Sequence, residues 1–345
     1  MRCDYEEHIR NLWNLPLQRL EIYSRPFQLP SGTFKVSPQA SCNGPDWIGL
    51  ERYFAIIEET IPFRILSPKE SLLLRWRHLR GHTRSIDINA CVLMDYLNSR
   101  PNYFHWFLDA LPRIFAAEAY RKLTGKPFKL IVPQSLQPWQ EASLRFLGVG
   151  PEQCIGLPPA LLHESWGFET LISTFSHRHI RHSASGHFDA FSPQAIQTLS
   201  QRLVQGAAGL MHQNHSSSPR IYISRGNASL RQVRNEDEVI QYLARYGFEQ
   251  VRPDAMPLHV QLQVFRQATH VISSHGGALT NLMHISPGCQ VLEIFQADHG
   301  VRPDFFQLVA LRGGQYTFAH AKSLNANNDI NISLKVLGDF LEASL

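Results

Sequence analysis

The stretch from His270 to Phe295 constrains this chain more than any other. It reads His270-Val-Ile-Ser-Ser-His-Gly-Gly-Ala-Leu-Thr-Asn281, then Met283 to Pro287, then Gln290-Val-Leu-Glu-Ile-Phe295. The β-branched pair Val271 and Ile272 predicts a strand. Gly276 and Gly277 predict a sharp turn where backbone can come close to a ligand. Ala278 to Met283 predict a short helix opening on that turn, and a second strand follows from Gln290. A helix N-terminus carries unpaired N–H groups and favours anions. His275 stands at the turn and Glu293 late in the second strand. In open α/β sheets ligands bind at that carboxyl edge.

The rest of the chain alternates in the same way. Lys129–Val132 predicts a strand, 136–147 a helix and 153–157 a short strand. A helix follows from Ser192, with Pro193 at its first position. In the second half come a strand at Arg220–Arg225 and a helix capped by Asn235, with Glu238 completing a capping box. Next are a strand at Phe248–Val251, a helix from Pro257, a helix at Phe305–Leu311 and a strand at Gln315–Ala319. Such alternation predicts parallel sheets. The expected organisation is α/β, with two Rossmann-like halves. Residues 1–85, broken by repeated prolines, read as irregular strands and loops. Residues 86–205 read as the first Rossmann-like domain, 206–219 as a linker, 220–325 as the second domain and 326–345 as a terminal helix.

Residues 102–124 predict the strongest helix, capped by Asn102 and stopped by Gly125. At 100° per residue, Phe104, Phe107, Leu108, Leu111, Ile114 and Phe115 share one face. His105, Asp109 and Arg113 fall opposite. Pro112 inside the helix predicts a kink.

Composition narrows the classes. Lys and Arg number 33 against 29 Asp and Glu, a net charge of +4. That argues against a nucleic-acid partner and suits an anionic small ligand or contact with an anionic membrane. The 17 histidines show no metal-ligand spacing, so no zinc site is implied. No Asp-x-Asp occurs; Ile86-Asp87-Ile88-Asn89 reads as a strand edge. Five widely spaced cysteines argue against a disulfide framework and for a reducing compartment. No apolar run of about 18 residues is present. A cytoplasmic protein is expected, at most peripheral at the inner face of a membrane.

Each candidate residue has a plain and a chemical reading. The Ser274-His275-Gly276-Gly277 turn either packs strand on helix or cradles a diphosphate. Arg225, ending a strand, either pairs with a carboxylate or binds phosphate; Arg231 and Arg234 are similar and weaker. Glu293 either meets solvent or accepts from a ribose diol. His105 and Asp109 are either a helix i, i+4 pair or a general base. The His177–His182 cluster reads as a solvated basic patch, and His212 and His215 as linker.

Three blocks taken together carry a resemblance. They are Asn102-Tyr-Phe-His-Trp-Phe-Leu-Asp-Ala-Leu-Pro-Arg113; Tyr222-Ile-Ser-Arg225 with Arg231, Arg234 and Asn235-Glu-Asp-Glu238; and His275-Gly-Gly-Ala-Leu-Thr-Asn281 with Leu292-Glu-Ile-Phe295. In this order they resemble glycosyltransferase family 61, the DUF563-type proteins, over residues 85 to 320. The family more usually has His-Gly-Ala at the turn, where this chain has the extra Gly277. The resemblance implies a GT-B-like fold, two Rossmann-like domains facing across a cleft. It implies inverting transfer from a nucleotide sugar, expected to be UDP-linked, to a glycan or polysaccharide acceptor in surface or capsular synthesis. It implies no cofactor and no metal. Gly276, Gly277, Ala278, Asn281, Arg225, Arg231 and Arg113 would then meet the diphosphate, with His275 among the catalytic groups and Glu293 at the ribose. Either Asp109 or His105 would be the base; Asp109 is favoured, oriented by His105. A non-catalytic nucleotide- or glycan-binding module of the same fold is the alternative. A dinucleotide dehydrogenase is disfavoured by the missing GxGxxG.

Overall fold

A computed structural model of the chain describes residues 34–43, 48–51, 68–94, 101–158, 164–174, 178–183, 186–211, 218–226, 230–296, 302 and 304–345; for Phe34, Asn43, Arg77, 178–183 and 186–191 it describes the backbone alone. Most of the first 67 residues, the linker histidines His212 and His215 and the side chains of the 177–182 cluster lie outside the described residues. The rest falls into two compact units that divide between Gly206 and Ala207.

The first unit is built on one mixed sheet. Its strands are β1 (Phe34–Pro38), β2 (Ser41–Asn43), β3 (Ile48–Leu50), β4 (His82–Val92), β5 (Lys129–Pro133), β6 (Cys154–Leu157) and β7 (Glu164–Thr174). A separate antiparallel ribbon joins β8 (Arg178–Ser183) to β9 (Gly186–Phe191). The sheet order is β3-β2-β7-β4-β5-β6, with β1 also on β7. The four strands β6-β5-β4-β7 are parallel. In chain order they run 3-2-1-4, one half of a doubly wound sheet. Strand β4 is central, with a register shift between Ile86 and Asn89. The Ile86–Asn89 segment lies inside β4 and is paired with β7 on one side, with the irregularity falling at Asp87 and Ile88; β5 pairs only from Ala90 onward.

Helices α1 (Pro68–Arg80), α2 (Ile114–Thr124), α3 (Pro138–Phe146) and α4 (Pro193–Ala207) accompany this sheet. The Ser192 hydroxyl accepts from Ala195 N–H and caps α4 as the sequence implies. Gly125 ends α2 in the left-handed region at φ 70°, where a side chain would be strained. Helix α1 lies in a segment read as irregular, so that reading is corrected. Pro68 at its first turn, the Leu72-Leu-Leu74 run and Gly81 beyond it are ordinary helix signals.

The second unit is an all-parallel five-stranded sheet. Its strands are β10 (Arg220–Ile223), β11 (Phe248–Val251), β12 (His270–Ser274), β13 (Gln290–Gln296) and β14 (Gln315–Ala321). Their order is β11-β10-β12-β13-β14, or 2-1-3-4-5 in chain order. Strand order reverses between β10 and β12. The crevice outside the carboxyl ends at such a switch point is where doubly wound sheets hold ligands. Helices α5 (Glu236–Ala244), α6 (Leu258–Gln267), α7 (Asp304–Leu311) and α8 (Leu334–Ser344) accompany the sheet. Leu337, Phe340 and Leu341 of α8 are buried in one core with Tyr222, Ile272, Leu292 and Ile294.

Asn235 differs from its expected role. It precedes α5, but its side chain bonds the backbone of Ile332 in both directions rather than capping the helix. The same far segment holds Asp329, which accepts from Arg234, Asn325 and the Gln232 N–H. Arg234 is thus taken by a carboxylate. The described cysteines, Cys42, Cys91, Cys154 and Cys289, are free thiols.

These bonds, those from Asn325 and Gln232 first, hold the Asp329 carboxyl below its ordinary 3.8. A depressed carboxyl contributes stability that is present above its ordinary value and is lost as pH falls below it. The thermal midpoint of wild type should therefore exceed that of Asp329→Asn at pH 7, and the gap should close below about pH 4. Melting curves across that range check this.

Candidate active site

The carboxyl edge of the second sheet brings three sequence-distant residues together. The parallel register pairs Ile223 of β10 with Ser273 of β12, and Ser274 with Ile294 of β13. Arg225 and His275 each follow their strand by one or two residues, so both stand at the switch point. Arg225 Nη1 donates to the His275 carbonyl at 3.0 Å, and Nη2 to that of Leu230 at 3.3 Å. Gly276 explains itself here: a Cβ would collide with Arg225 Nη1. The close approach expected for a ligand is made by this guanidinium instead. At Gly277 a Cβ would meet nothing within 4 Å.

His275 is fixed from behind. Its Nδ1 lies 2.5 Å from Glu293 Oε1, and the Tyr316 hydroxyl donates to Glu293 Oε2 at 2.5 Å. Its ring stacks on Phe295, with centroids 5.1 Å apart, and tilts against Phe305. A carboxylate only accepts, so Nδ1 carries the proton and Nε2 is the nitrogen left for chemistry. Burial, then the Glu293 charge, pushes the Tyr316 phenol well above its usual range, so it stays a donor. Glu293 is 0% exposed. Both of its oxygens accept hydrogen bonds inside the protein, one of them from the His275 ring.

The turn ends in a 3-10 helix, Gly277–His284, rather than an α-helix. Its first N–H groups, at Gly277 and Ala278, lie on its accessible side. Asn281 is buried, with its amide on Gln261 Oε1 and the Ala278 carbonyl. These bonds brace the turn.

The surroundings are cationic. Burial, then the charge of Arg231, lowers the Arg225 pKa to about 10, and Arg231 is in turn lowered by burial and Arg302. Both remain charged at neutral pH. Arg231 sits in the left-handed region at φ 58°, an uncommon position for a side-chain-bearing residue. Arg302 was not singled out from sequence; it sits just before α7, where its Nε bonds Asp304. Arg225 Nε, Ser274 Oγ and both amide atoms of Gln296 are buried without a hydrogen-bond partner among the described residues. This edge carries more polar capacity than the protein itself uses.

The first unit holds a second histidine–carboxylate pair. His105 Nδ1 lies 2.6 Å from Asp109 Oδ2. The expected continuous helix is not there. Tyr103–His105 is a single α-turn, Trp106–Ala110 a π-turn and Leu111–Arg113 a 3-10 turn, before α2 begins. Pro112 has no N–H for the Leu108 carbonyl, so the ladder rewinds instead of simply kinking. The wheel's polar face fails with it: Asp109 is 0% exposed among Trp106, Phe107 and Leu108, while the His105 side chain is 16% exposed. Asn102 does cap, accepting from the His105 N–H. Arg113 is not in the pair. Its Nη1 donates to the carbonyls of Val92 and Met94, tying this segment to the carboxyl end of β4. Among the described residues, no three His, Cys, Asp or Glu side chains are grouped to hold a metal ion.

The family model described as Glycosyltransferase 61 matches residues 103–292, which is 190 of the 345 residues; it takes in the His105–Asp109 pair and His275 and ends one residue before Glu293. The chain belongs to glycosyltransferase family 61 and is a glycosyltransferase. No curated protein matches it.

Two glycine variants separate the roles at the turn. Gly276→Ala should displace the Arg225 guanidinium while the fold persists, at a cost of about 1 kcal/mol for the lost hydrogen bond. Gly277→Ala should leave stability within about 0.5 kcal/mol. Denaturant unfolding of both variants checks the contrast.

Proposed function

We propose that this chain is an inverting, metal-independent glycosyltransferase of the GT-B type. It transfers a sugar from a UDP-linked donor to a hydroxyl of a glycan or polysaccharide acceptor in surface polysaccharide synthesis. The observation that carries the donor half is the cationic switch point of the second sheet. Arg225, Arg231 and His275 surround a turn with free N–H groups, and the arginines repel one another until an anion joins them. A diphosphate has that charge and size.

The chemistry needs a base for the acceptor and charge stabilisation for the leaving diphosphate. The acceptor hydroxyl loses its proton to a base as its oxygen attacks the anomeric carbon. The bond from that carbon to the diphosphate breaks, and the leaving group takes the electron pair. In this reading His105 is the base and Asp109 its positioning residue. That reverses the sequence expectation, because only His105 of the pair is accessible. A carboxylate behind an imidazole fixes its tautomer and supports the charge it gains. Arg225, Arg231 and the N–H groups of the turn then meet the charge that develops on the diphosphate, work a metal does elsewhere.

The two halves should separate by mutation. His105→Ala should cut turnover by about 10² or more while UDP affinity stays within about twofold. Arg225→Ala should weaken UDP binding about tenfold or more with little loss of stability. Calorimetric UDP titration beside a UDP-release assay reads both. Unchanged UDP affinity in Arg225→Ala would remove the switch point as the donor site.

A further inference from the structure

Helix α1 carries a surface that the transfer reaction does not use. Its inner side is settled: Leu74 is buried, and His78 Nδ1 lies 3.3 Å from Ser165 Oγ at the start of β7. Its outer side is apolar. Leu72 is 69% exposed, Leu79 63%, Trp76 44% and Leu73 42%. Of the eleven exposed large apolar side chains among the described residues, these four share one thirteen-residue helix. At 100° per residue, Leu72, Trp76 and Leu79 fall within about 60° of one another, so they form a stripe rather than scattered points.

Charge accompanies the stripe. The helix contains Lys69, Arg75, Arg77 and Arg80 against Glu70, a net charge of 4 − 1 = +3. The whole 345-residue chain carries +4. Almost all the net positive charge is therefore concentrated in this one element. Arg80 lies over the Trp76 ring at 4.8 Å, placing a cation beside the aromatic. Exposed Leu and Trp flanked by Lys and Arg, on a helix about 20 Å long, is the composition of a helix that lies in a membrane interface. No helix among the described residues is long and apolar enough to cross one.

We propose that α1 docks this glycosyltransferase on an anionic lipid surface. Leu72, Trp76 and Leu79 enter the headgroup boundary, and Lys69, Arg75 and Arg80 meet the lipid phosphates. Each basic residue near such a surface contributes on the order of 1 kcal/mol, and salt screens that part. The inference is independent of the nucleotide reading, because binding is measured with no donor present.

The test is co-sedimentation of the full chain with phosphatidylcholine vesicles, with and without phosphatidylglycerol. Wild type should sediment with the phosphatidylglycerol vesicles and be partly released as salt rises. The triple variant Leu72→Ser, Trp76→Ser, Leu79→Ser and the pair Arg75→Glu, Arg80→Glu should each lose at least tenfold in binding. Thermal midpoints should hold, since the inner side of α1 is untouched. Equal sedimentation of wild type with neutral and anionic vesicles would overturn the proposal. So would folded variants that bind like wild type. If wild type binds no vesicle and is a dimer by light scattering that the triple variant converts to monomer, a second copy covers this face and the lipid proposal fails.

Discussion

The carboxylate of Glu293 is the constraint on which the candidate site depends. It lies in the middle of a parallel sheet at 0% exposure, where an unpaired charge would cost several kcal/mol. Two donors offset that cost, His275 Nδ1 and the Tyr316 hydroxyl. They come from different elements, so the carboxylate is satisfied only if β12, β13 and β14 hold their register. The same bond fixes the tautomer and plane of His275, and Phe295 supports the ring from one side. Stability and preorganisation are here one arrangement.

The first unit reaches a similar chemical result by different means. Asp109 is equally buried and also places its histidine toward the outside. The device there is a helical segment rewound through a π-turn ahead of Pro112, not a strand end. In both pairs the carboxylate is fully buried, while the His105 side chain is 16% exposed and that of His275 10%.

Much of this was legible in the sequence. The β–α alternation, the Ser192 and Asn102 caps and the Gly125 stop are local signals, and each appears where expected. The parallel strands are local in the same sense. Strand order is not: nothing in Arg220–Ile223 states that β12 lies beside it, and before the topology only the family resemblance placed Arg225 with the His275 turn. Burial also escaped the sequence. Glu293 and Asp109 read as ligand-facing acids because their neighbours' packing on the far side was not visible. Gly276 was correctly read as a site of close approach, but the approaching group is Arg225. Helix α1 was missed because frequent prolines upstream were weighed above a short run of helix formers.

The most direct measurement is the kinetics of Glu293→Gln, which keeps the volume but removes the charge behind His275 and replaces one acceptor oxygen by an NH2 donor. If Glu293 positions His275, kcat should fall by about 10² or more while KM for the UDP-sugar stays within about threefold. A folded variant that loses donor affinity while kcat at saturation is unchanged would contradict the account. It would return Glu293 to the ribose.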